Sequence, residues 1–169
     1  MSKIISIILE DNRHIDVELY EEYAPITVKN FLDLIDKKFY DGIIFHRVIK
    51  NFMIQTGGYL LNGNQLEDKD AKNIKGEFIE NGVNNPLKHT KGVISMARAN
   101  NPNSASSQFF LCSVDTPHLD GKYAAFGKAV DEASMKVIED ISKVRTMNIG
   151  YGFSDFPVEP IRIKTIEVK

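Results

Sequence analysis

The order of the predicted elements constrains the fold of this chain more than any other feature. Eight segments have the β-branched, aromatic and alternating apolar residues that are typical of strands, whereas only two segments have helical spacing. The two helices do not alternate with the strands, which argues against a parallel sheet built from strand–helix–strand units. The predicted strands cover residues 3–9, 13–19, 43–48, 53–56, 93–97, 108–114, 124–130 and 161–168.

The clearest examples of the two patterns lie near the beginning of the chain. Ile15, Val17 and Leu19 alternate with polar residues, which is the pattern of a strand with one buried face. Pro25 suits the first turn of a helix. The apolar residues after it recur at helical spacing, at Val28, Phe31, Leu32 and Ile35. A second helix with a similar apolar side is predicted over residues 132–144.

Eight mostly antiparallel strands predict a barrel. Such a barrel is just filled by its own side chains, and its closure removes the exposed strand edges. We therefore expect residues 1–169 to form one mainly β domain, a closed eight-stranded antiparallel β-barrel capped by two α-helices. The functional surface should then lie outside the barrel. Residues 57–92 are mostly polar and glycine- or asparagine-punctuated, and they predict a long connection of the kind that is usually functional.

Composition argues against several classes of partner. The chain has a net charge of −2 and its lysines are scattered among acids, so we expect no binding to nucleic acid or anionic membranes. No apolar segment is long enough to span a membrane, and the short apolar run at the N-terminus is interpreted as a strand. Cys112 is the single cysteine, which fits a reducing compartment, and we expect a cytoplasmic protein.

Metal and nucleophilic chemistry have little support in the sequence. The four histidines fall at no metal-ligand spacing, and neither a P-loop nor a dinucleotide fingerprint is present. Ser113, Asp115 and His118 are close together but lack a nucleophile-elbow motif. We expect no cofactor and no metal. His46 and His89 are predicted to have structural roles, His46 through a hydrogen bond.

The segment "FHRVIKNFMIQTGG", residues 45–58, is unusual because it sets a charged residue among large apolar ones. Burying a guanidinium is costly unless something uses it, so Arg47 needs an explanation. Gln55 is nearby in sequence, and alternation puts it on the same side of a strand as Met53. In the strand at 108–114, Gln108 and Phe110 share a side. Periodicity alone leaves open whether these side chains form a site or only core and loop contacts.

Two blocks of the chain resemble the signature blocks of the cyclophilin family of peptidyl-prolyl cis-trans isomerases. They are "FHRVIKNFMIQTGG" and "KHTKGVISMARANNPNSASSQFFLCSVDTPHLDGKYAAFGKAV", and the short form "KHTKGVISMAR" is most similar to bacterial members. The resemblance covers essentially the whole chain. It implies an eight-stranded barrel with two capping helices, which agrees with the segment count. It also implies proline-containing peptides and unfolded or partly folded proteins as substrates. Nothing in the sequence demands more than a monomer.

The resemblance implies a role for each matched residue. Arg47 falls on the catalytic arginine, and Gln55 falls on the amide that helps to hold the substrate and the arginine. The other matched positions are substrate-binding: Phe52, Met53, Phe110 and Leu119 in the proline pocket, Ala97, Arg98 and Ala99 where the substrate backbone is held, and Gln108 in the wall.

Two further substrate-binding positions depart from the commonest pattern of the family. His118 stands where many members have tryptophan, and Tyr123 stands where many have histidine. Neither is the arginine or the pocket floor, so we expect isomerase activity to survive. Binding of cyclosporin-like cyclic peptides should be weakened, because the tryptophan supports it.

Two other functions remain as alternatives to the isomerase. A non-catalytic proline-peptide-binding or chaperone module could use the same fold, but binding alone would not require Arg47 and Gln55. A lipocalin-like carrier of small apolar ligands would require a hollow barrel, and the bulky residues predicted to point inward argue against it.

Overall fold

The computed structural model describes residues 2–169, whose regular structure is mostly antiparallel β. The strands are β1 (Lys3–Leu9), β2 (His14–Leu19), β3 (Ile43–Ile49), β4 (Met53–Asn62), β5 (Gln65–Asp68), β6 (Val93–Met96), β7 (Phe109–Cys112), β8 (Ala125–Ala129), β9 (Thr146–Met147), β10 (Phe156–Pro157) and β11 (Ile163–Val168). The α-helices are α1 (Pro25–Asp36) and α2 (Glu132–Ser142), and short 3-10 helices cover Ile79–Asn81 and Pro117–Leu119.

Eight of these strands form a barrel in the order β11-β1-β2-β8-β6-β7-β4-β3. The two ends of the series meet where Ile44 bridges Arg162 in antiparallel fashion. The backbone N–H of Phe45 donates to Ile161 over 3.0 Å beside this bridge. The predicted eight-stranded antiparallel barrel with two helices is therefore confirmed.

Aromatic side chains fill the centre of the barrel. The ring of Phe31, carried by α1, lies 5.3 Å from that of Phe109 and 5.2 Å from that of Phe126, centroid to centroid. Tyr40 is also buried among these rings, and its hydroxyl donates to the carbonyl of Ser107 over 2.8 Å. An interior packed in this way has no room for a carried ligand, so the lipocalin-like alternative is wrong.

Both helices are fixed at their N-termini by carboxylates. The Glu77 carboxylate, from the connection before β6, accepts hydrogen bonds from the backbone N–H groups of Ile26 and Thr27 in the first turn of α1. The Asp131 carboxylate accepts the backbone N–H of Ser134 in α2 over 2.8 Å. These contacts satisfy N–H groups that have no partner inside a helix.

The prediction of a long connection over residues 57–92 is wrong for its first part. β4 continues through both glycines to Asn62 and forms a hairpin with β5. Residues 69–92 have no strand, and their only regular element is the 3-10 helix at Ile79–Asn81. Among residues 2–169, no helix is both long enough and apolar enough to cross a membrane.

Candidate active site

A bulge in β3 exposes Arg47 on the outer face of the barrel. Phe45 and Val48 both point into the core, although they are three residues apart. Strict alternation would place them on opposite faces, so the strand must contain an extra residue. The register of β3 against β4 shifts between Phe45 and Arg47, as this requires. As a result, Arg47 is exposed at the surface of the barrel.

A row of cross-strand neighbours extends from Arg47 over the outer face. Arg47 pairs with Gln55, Gln55 pairs with Phe110, and Phe110 pairs with Ser95, on four adjacent strands. The Arg47 Nη1 donates to Gln55 Oε1 over 3.2 Å, and the Gln55 Nε2 donates to Gln108 Oε1 over 3.0 Å. Within the described residues, Arg47 forms no salt bridge. A neutral amide therefore holds the guanidinium without neutralising its charge.

A small cavity of about 130 Å³ opens next to this row. Its floor and walls are mainly apolar, and Met53 and Phe110 are almost completely buried beneath it. The bend between β3 and β4 turns Phe52 toward the cavity, because Asn51 adopts a left-handed conformation with φ of 59°. Nine of the predicted site residues line this cavity: Arg47, Phe52, Met53, Gln55, Ala97, Arg98, Phe110, Leu119 and Tyr123.

A second cavity of about 350 Å³ adjoins the first and shares three of its lining residues. Ala99 and Gln108, also predicted site residues, line this second cavity only. Ser104 and Ser106 line it as well, and the sequence analysis missed both. The serine cluster in "NPNSASSQ" is the signal that could have identified them.

The side chain of Arg98 holds the loop that carries this wall. Its guanidinium donates to the carbonyl of Lys122 through Nε over 3.1 Å and to that of Ala99 through Nη1 over 3.0 Å. It also lies over the rings of Phe78 and Tyr123, 4.8 and 4.7 Å from their centroids. These contacts anchor Tyr123 at the edge of the first cavity.

Comparison with known proteins identifies the family of this chain. The sequence model of the family described as "Cyclophilin type peptidyl-prolyl cis-trans isomerase/CLD" matches residues 4–168. The chain belongs to the cyclophilin family of peptidyl-prolyl cis-trans isomerases. The isomerase function predicted from the sequence is thereby confirmed.

Relatives of this cyclophilin occur in bacteria and fungi at similar identity. It is 40% identical to a peptidyl-prolyl cis-trans isomerase of Acinetobacter baylyi over 92% of this chain and 80% of that one. It is 39% identical to a peptidyl-prolyl cis-trans isomerase-like 1 protein of Emericella nidulans, over 90% and 86%. A crystal structure of a cyclophilin type isomerase from Cryptosporidium parvum superposes with a TM-score of 0.78 at 28% identity, covering 100% of this chain and 98% of that chain.

His118 is the one predicted site residue that lines neither of these two cavities. It is exposed in the 3-10 helix at Pro117–Leu119, and its ring lies 5.5 Å from that of Phe52. His118 therefore covers the outer side of Phe52 at the rim. The other departure of this cyclophilin, Tyr123, packs edge-on against Phe110 at 5.9 Å.

The buried ring of His89 supports the floor of the cavity. It stacks against Phe110 at 6.0 Å, and its two nitrogens contact Asp120 Oδ1 at 3.1 Å and Ser95 Oγ at 2.8 Å. Burial lowers the pKa of His89 below its usual value, although the neighbouring Asp120 carboxylate opposes this effect. The predicted structural role of His89 is confirmed.

His46 has no hydrogen bond of the kind predicted for it. The bulge places it on the outer side of β3, where its ring packs against Tyr59 at 4.7 Å and Phe153 at 6.1 Å. Its Nδ1 is buried and has no hydrogen-bond partner among residues 2–169. Burial, together with the adjacent Arg47 charge, lowers the pKa of His46 to about 4.

The nucleophilic groups near the site are not arranged for catalysis. Burial raises the pKa of the Cys112 thiol to about 11, so the thiolate is scarce near neutral pH. Ser113 Oγ is buried without a hydrogen-bond partner in the described chain, and Asp115 Oδ1 accepts the backbone N–H of Lys91 instead. The exposed cation beside an apolar cavity is therefore the chemically distinctive feature of this surface.

Proposed function

We propose that this cyclophilin accelerates rotation about X-Pro bonds through Arg47, while the adjacent apolar cavity grips the proline ring. Amide resonance opposes the rotation by about 18–20 kcal/mol. A twisted imide loses that resonance and gains a lone pair on its nitrogen, to which a guanidinium can donate. The planar ground state lacks this lone pair, so the interaction favours the transition state and lowers the barrier. The observation that carries the proposal is that Arg47 lines the same cavity as Met53 and Phe110.

The size of the barrier requires the cavity as well as the arginine. A turnover of about 10³ s⁻¹ needs the barrier lowered by roughly 6 kcal/mol. One hydrogen bond to a charged group supplies only about 1.5–3 kcal/mol. The remainder must come from holding the ring against Phe52, Met53, Phe110 and Leu119 while the preceding carbonyl turns. No bond breaks, so the reaction needs neither a nucleophile nor a cofactor.

The proposed substrates are proline-containing segments of peptides and of unfolded or partly folded proteins. A solved relative from Cryptosporidium parvum was crystallised in the presence of the dipeptide Ala-Pro, and it aligns with this chain at 28% identity and a TM-score of 0.77, over 98% of each chain. In this mechanism Gln55 holds Arg47, and the backbone of residues 97–99 together with Gln108 holds the chain before the proline. The Arg98 side chain contributes only by fixing the loop, because its donors already bind backbone carbonyls.

We also propose an oligomeric state, a cellular compartment and a strength of cyclosporin binding for this protein. The chain acts as a monomer formed by one domain, since Arg47 and the cavity come from the same barrel. We place it in a reducing compartment, the cytoplasm, with its single cysteine as a buried free thiol. It binds cyclosporin-like cyclic peptides weakly, because His118 offers a smaller ring than tryptophan beside Phe52.

Exchange spectroscopy separates this proposal from a binding module on the same fold. The cis/trans exchange rate of an Ala-Pro tetrapeptide is measured by NMR with and without catalytic amounts of the protein. We expect exchange to be accelerated far above the uncatalysed rate, whose time constant is about tens to hundreds of seconds. If the peptide binds but its exchange rate does not change, the binding module is correct and the enzymatic proposal fails.

A further inference from the structure

A large apolar groove lies between the β4–β5 hairpin and the β9–β10 hairpin. It is on the side of Arg47 opposite the second cavity, which Ala97 to Gln108 line in part. It measures about 920 Å³ and is formed by the β4–β5 hairpin and by the segment from β9 to residue 160. Its rim includes Tyr151, which is fully exposed, and Met147, which is 42% exposed. Exposed apolar surface of this kind marks binding grooves. Of the residues in the described chain that line the groove, Asp68 alone is charged.

The groove is continuous with the active site through an intermediate cavity. That cavity measures about 340 Å³. Arg47 lines both this cavity and the cavity of about 130 Å³ that is proposed to hold the proline, here called the proline cavity. At its other end it shares Tyr59, Tyr151 and Phe153 with the groove. His46 also lines the passage. A peptide that leaves the proline cavity past Arg47 therefore enters the groove along an uninterrupted depression.

We infer that the groove binds an apolar segment of the same polypeptide chain whose proline occupies the active site. The inference rests on the proposed function, and it narrows the substrates to unfolded chains in which apolar residues lie near the proline. Continuity with the active site selects this occupant over a separate partner protein. The apolar rim side chains Met147 and Tyr151 would be covered by the bound segment, which gives long substrates an affinity that short peptides lack.

The geometry of β4 sets the spacing between the proline and the apolar segment. Tyr59 and Leu61, which line the groove, follow Gln55 by four and six residues on the same strand. At about 3.3 Å per residue the separation is roughly 13–20 Å. An extended substrate has the same length per residue, so its apolar side chains should lie about four to six residues from the proline.

A set of synthetic peptides tests this spacing. Each peptide contains one Ala-Pro unit and a Leu-Tyr-Leu cluster placed one, five or eleven residues away, on either side, in an otherwise Gly/Ser chain of constant length. We expect the peptide whose cluster lies five residues away to have a KM at least fivefold lower than the others, on one side of the proline only. Equal KM values at all spacings, or an equal gain on both sides, would overturn the inference.

Variants of the rim separate the groove from the active site. Met147→Glu should abolish the fivefold gain, and so should Tyr151→Gly, since glycine accepts the left-handed conformation of this residue, φ 54°. Val130→Glu is the matched control, because Val130 is 43% exposed and lies outside the groove. All three variants should turn over the short Ala-Pro tetrapeptide like the wild type. If wild-type protein fails on the tetrapeptide, the proposed function fails; if only the gain is absent, the groove inference fails alone.

Discussion

The guanidinium of Arg47 and the side-chain amide of Gln55 face each other across β3 and β4, with Nη1 and Oε1 3.2 Å apart. The other end of the same amide donates to Gln108 Oε1 over 3.0 Å. Gln55 therefore orients the cation while its own orientation is fixed by Gln108, the residue that precedes β7. A carboxylate at the same position would hold the arginine more strongly, but it would offset the charge on which the proposed mechanism depends.

Replacement of Gln55 by leucine tests this arrangement. Loss of a hydrogen bond to a charged group costs about 1.5 kcal/mol. Because this bond orients Arg47 toward the twisted imide, the activation barrier should rise by that amount, so kcat should fall about tenfold while KM changes less. Gln108→Leu leaves the bond between Arg47 and Gln55 in place and should lower kcat less than Gln55→Leu does. It should also raise KM, because Gln108 is assigned to hold the substrate. Steady-state kinetics on an X-Pro tetrapeptide measures both changes. Unchanged kcat in Gln55→Leu would show that Arg47 needs no such anchor.

Replacement by alanine should have different effects at the two adjacent glycines of β4. Gly57 has φ of 104°, and an added Cβ would lie 2.6 Å from the backbone oxygen of Ser107, so Gly57→Ala should lower the free energy of unfolding by about 2 kcal/mol or more. At Gly58 the Cβ would meet the end of the Gln108 side chain at 2.5 Å, which can rotate away.

Gly58→Ala should therefore lower kcat in the way that Gln108→Leu does, with a smaller loss of stability than in Gly57→Ala. Urea denaturation and turnover of both variants check this pair. Equal loss of stability in the two variants would contradict the account of β4.

The buried ring of His46 predicts a loss of stability in acid. Its pKa is about 4 in the folded chain and about 6.5 when unfolded, so the unfolded state binds the additional proton between these values. The free energy of unfolding should fall by up to about 3 kcal/mol between pH 6.5 and pH 4, because His46 contributes fully only above its unfolded pKa.

Denaturation at a series of pH values measures this slope. His46→Phe should flatten it, whereas Tyr59→Phe, which alters the same contact without removing an imidazole, should retain it. An unchanged slope in His46→Phe would assign the acid sensitivity to other groups.

Replacement of His118 by tryptophan should strengthen cyclosporin binding. An indole beside Phe52 adds roughly 60 Å² of apolar contact, equivalent to about 1.5 kcal/mol, or about tenfold in Kd. Isothermal titration of wild-type and His118→Trp proteins measures the change. His118→Ala is the control and should bind no more tightly than the wild type. No gain in the tryptophan variant would show that other residues limit the affinity.

Local patterns in the sequence were sufficient to predict the barrel. Alternation in the segment at 108–114 put Gln108 and Phe110 on one side of a strand but left open whether that side was core or site. In the structure Phe109 belongs to the barrel core, and Phe110 belongs to a separate cluster with Met53 and Leu119. The end of β4 was missed because Gly57 and Gly58 resemble a turn in sequence. In the structure they permit close approach of Ser107 and Gln108, which precede β7. No local pattern in the sequence can reveal this contact.

The resemblance to the cyclophilin family supplied the residues of the candidate site, but it did not predict their arrangement. The bulge that exposes Arg47 depends on strand register, which is a property of the pairing of β3 with β4. The position of His118 at the rim depends on the 3-10 helix that carries it. The large groove beside Tyr151 was not predicted at all, since it forms between two hairpins that are distant in the sequence.

Arg47→Ala tests the central claim most directly, by measuring catalysis and binding on the same tetrapeptide. NMR exchange gives the catalysed rate, and titration of peptide chemical shifts gives Kd. The account predicts a kcat about 10- to 150-fold lower, equivalent to about 1.5–3 kcal/mol, with a much smaller change in Kd. An exchange rate equal to that of the wild type, or a Kd weakened as much as kcat is lowered, would contradict stabilisation of the twisted imide by Arg47.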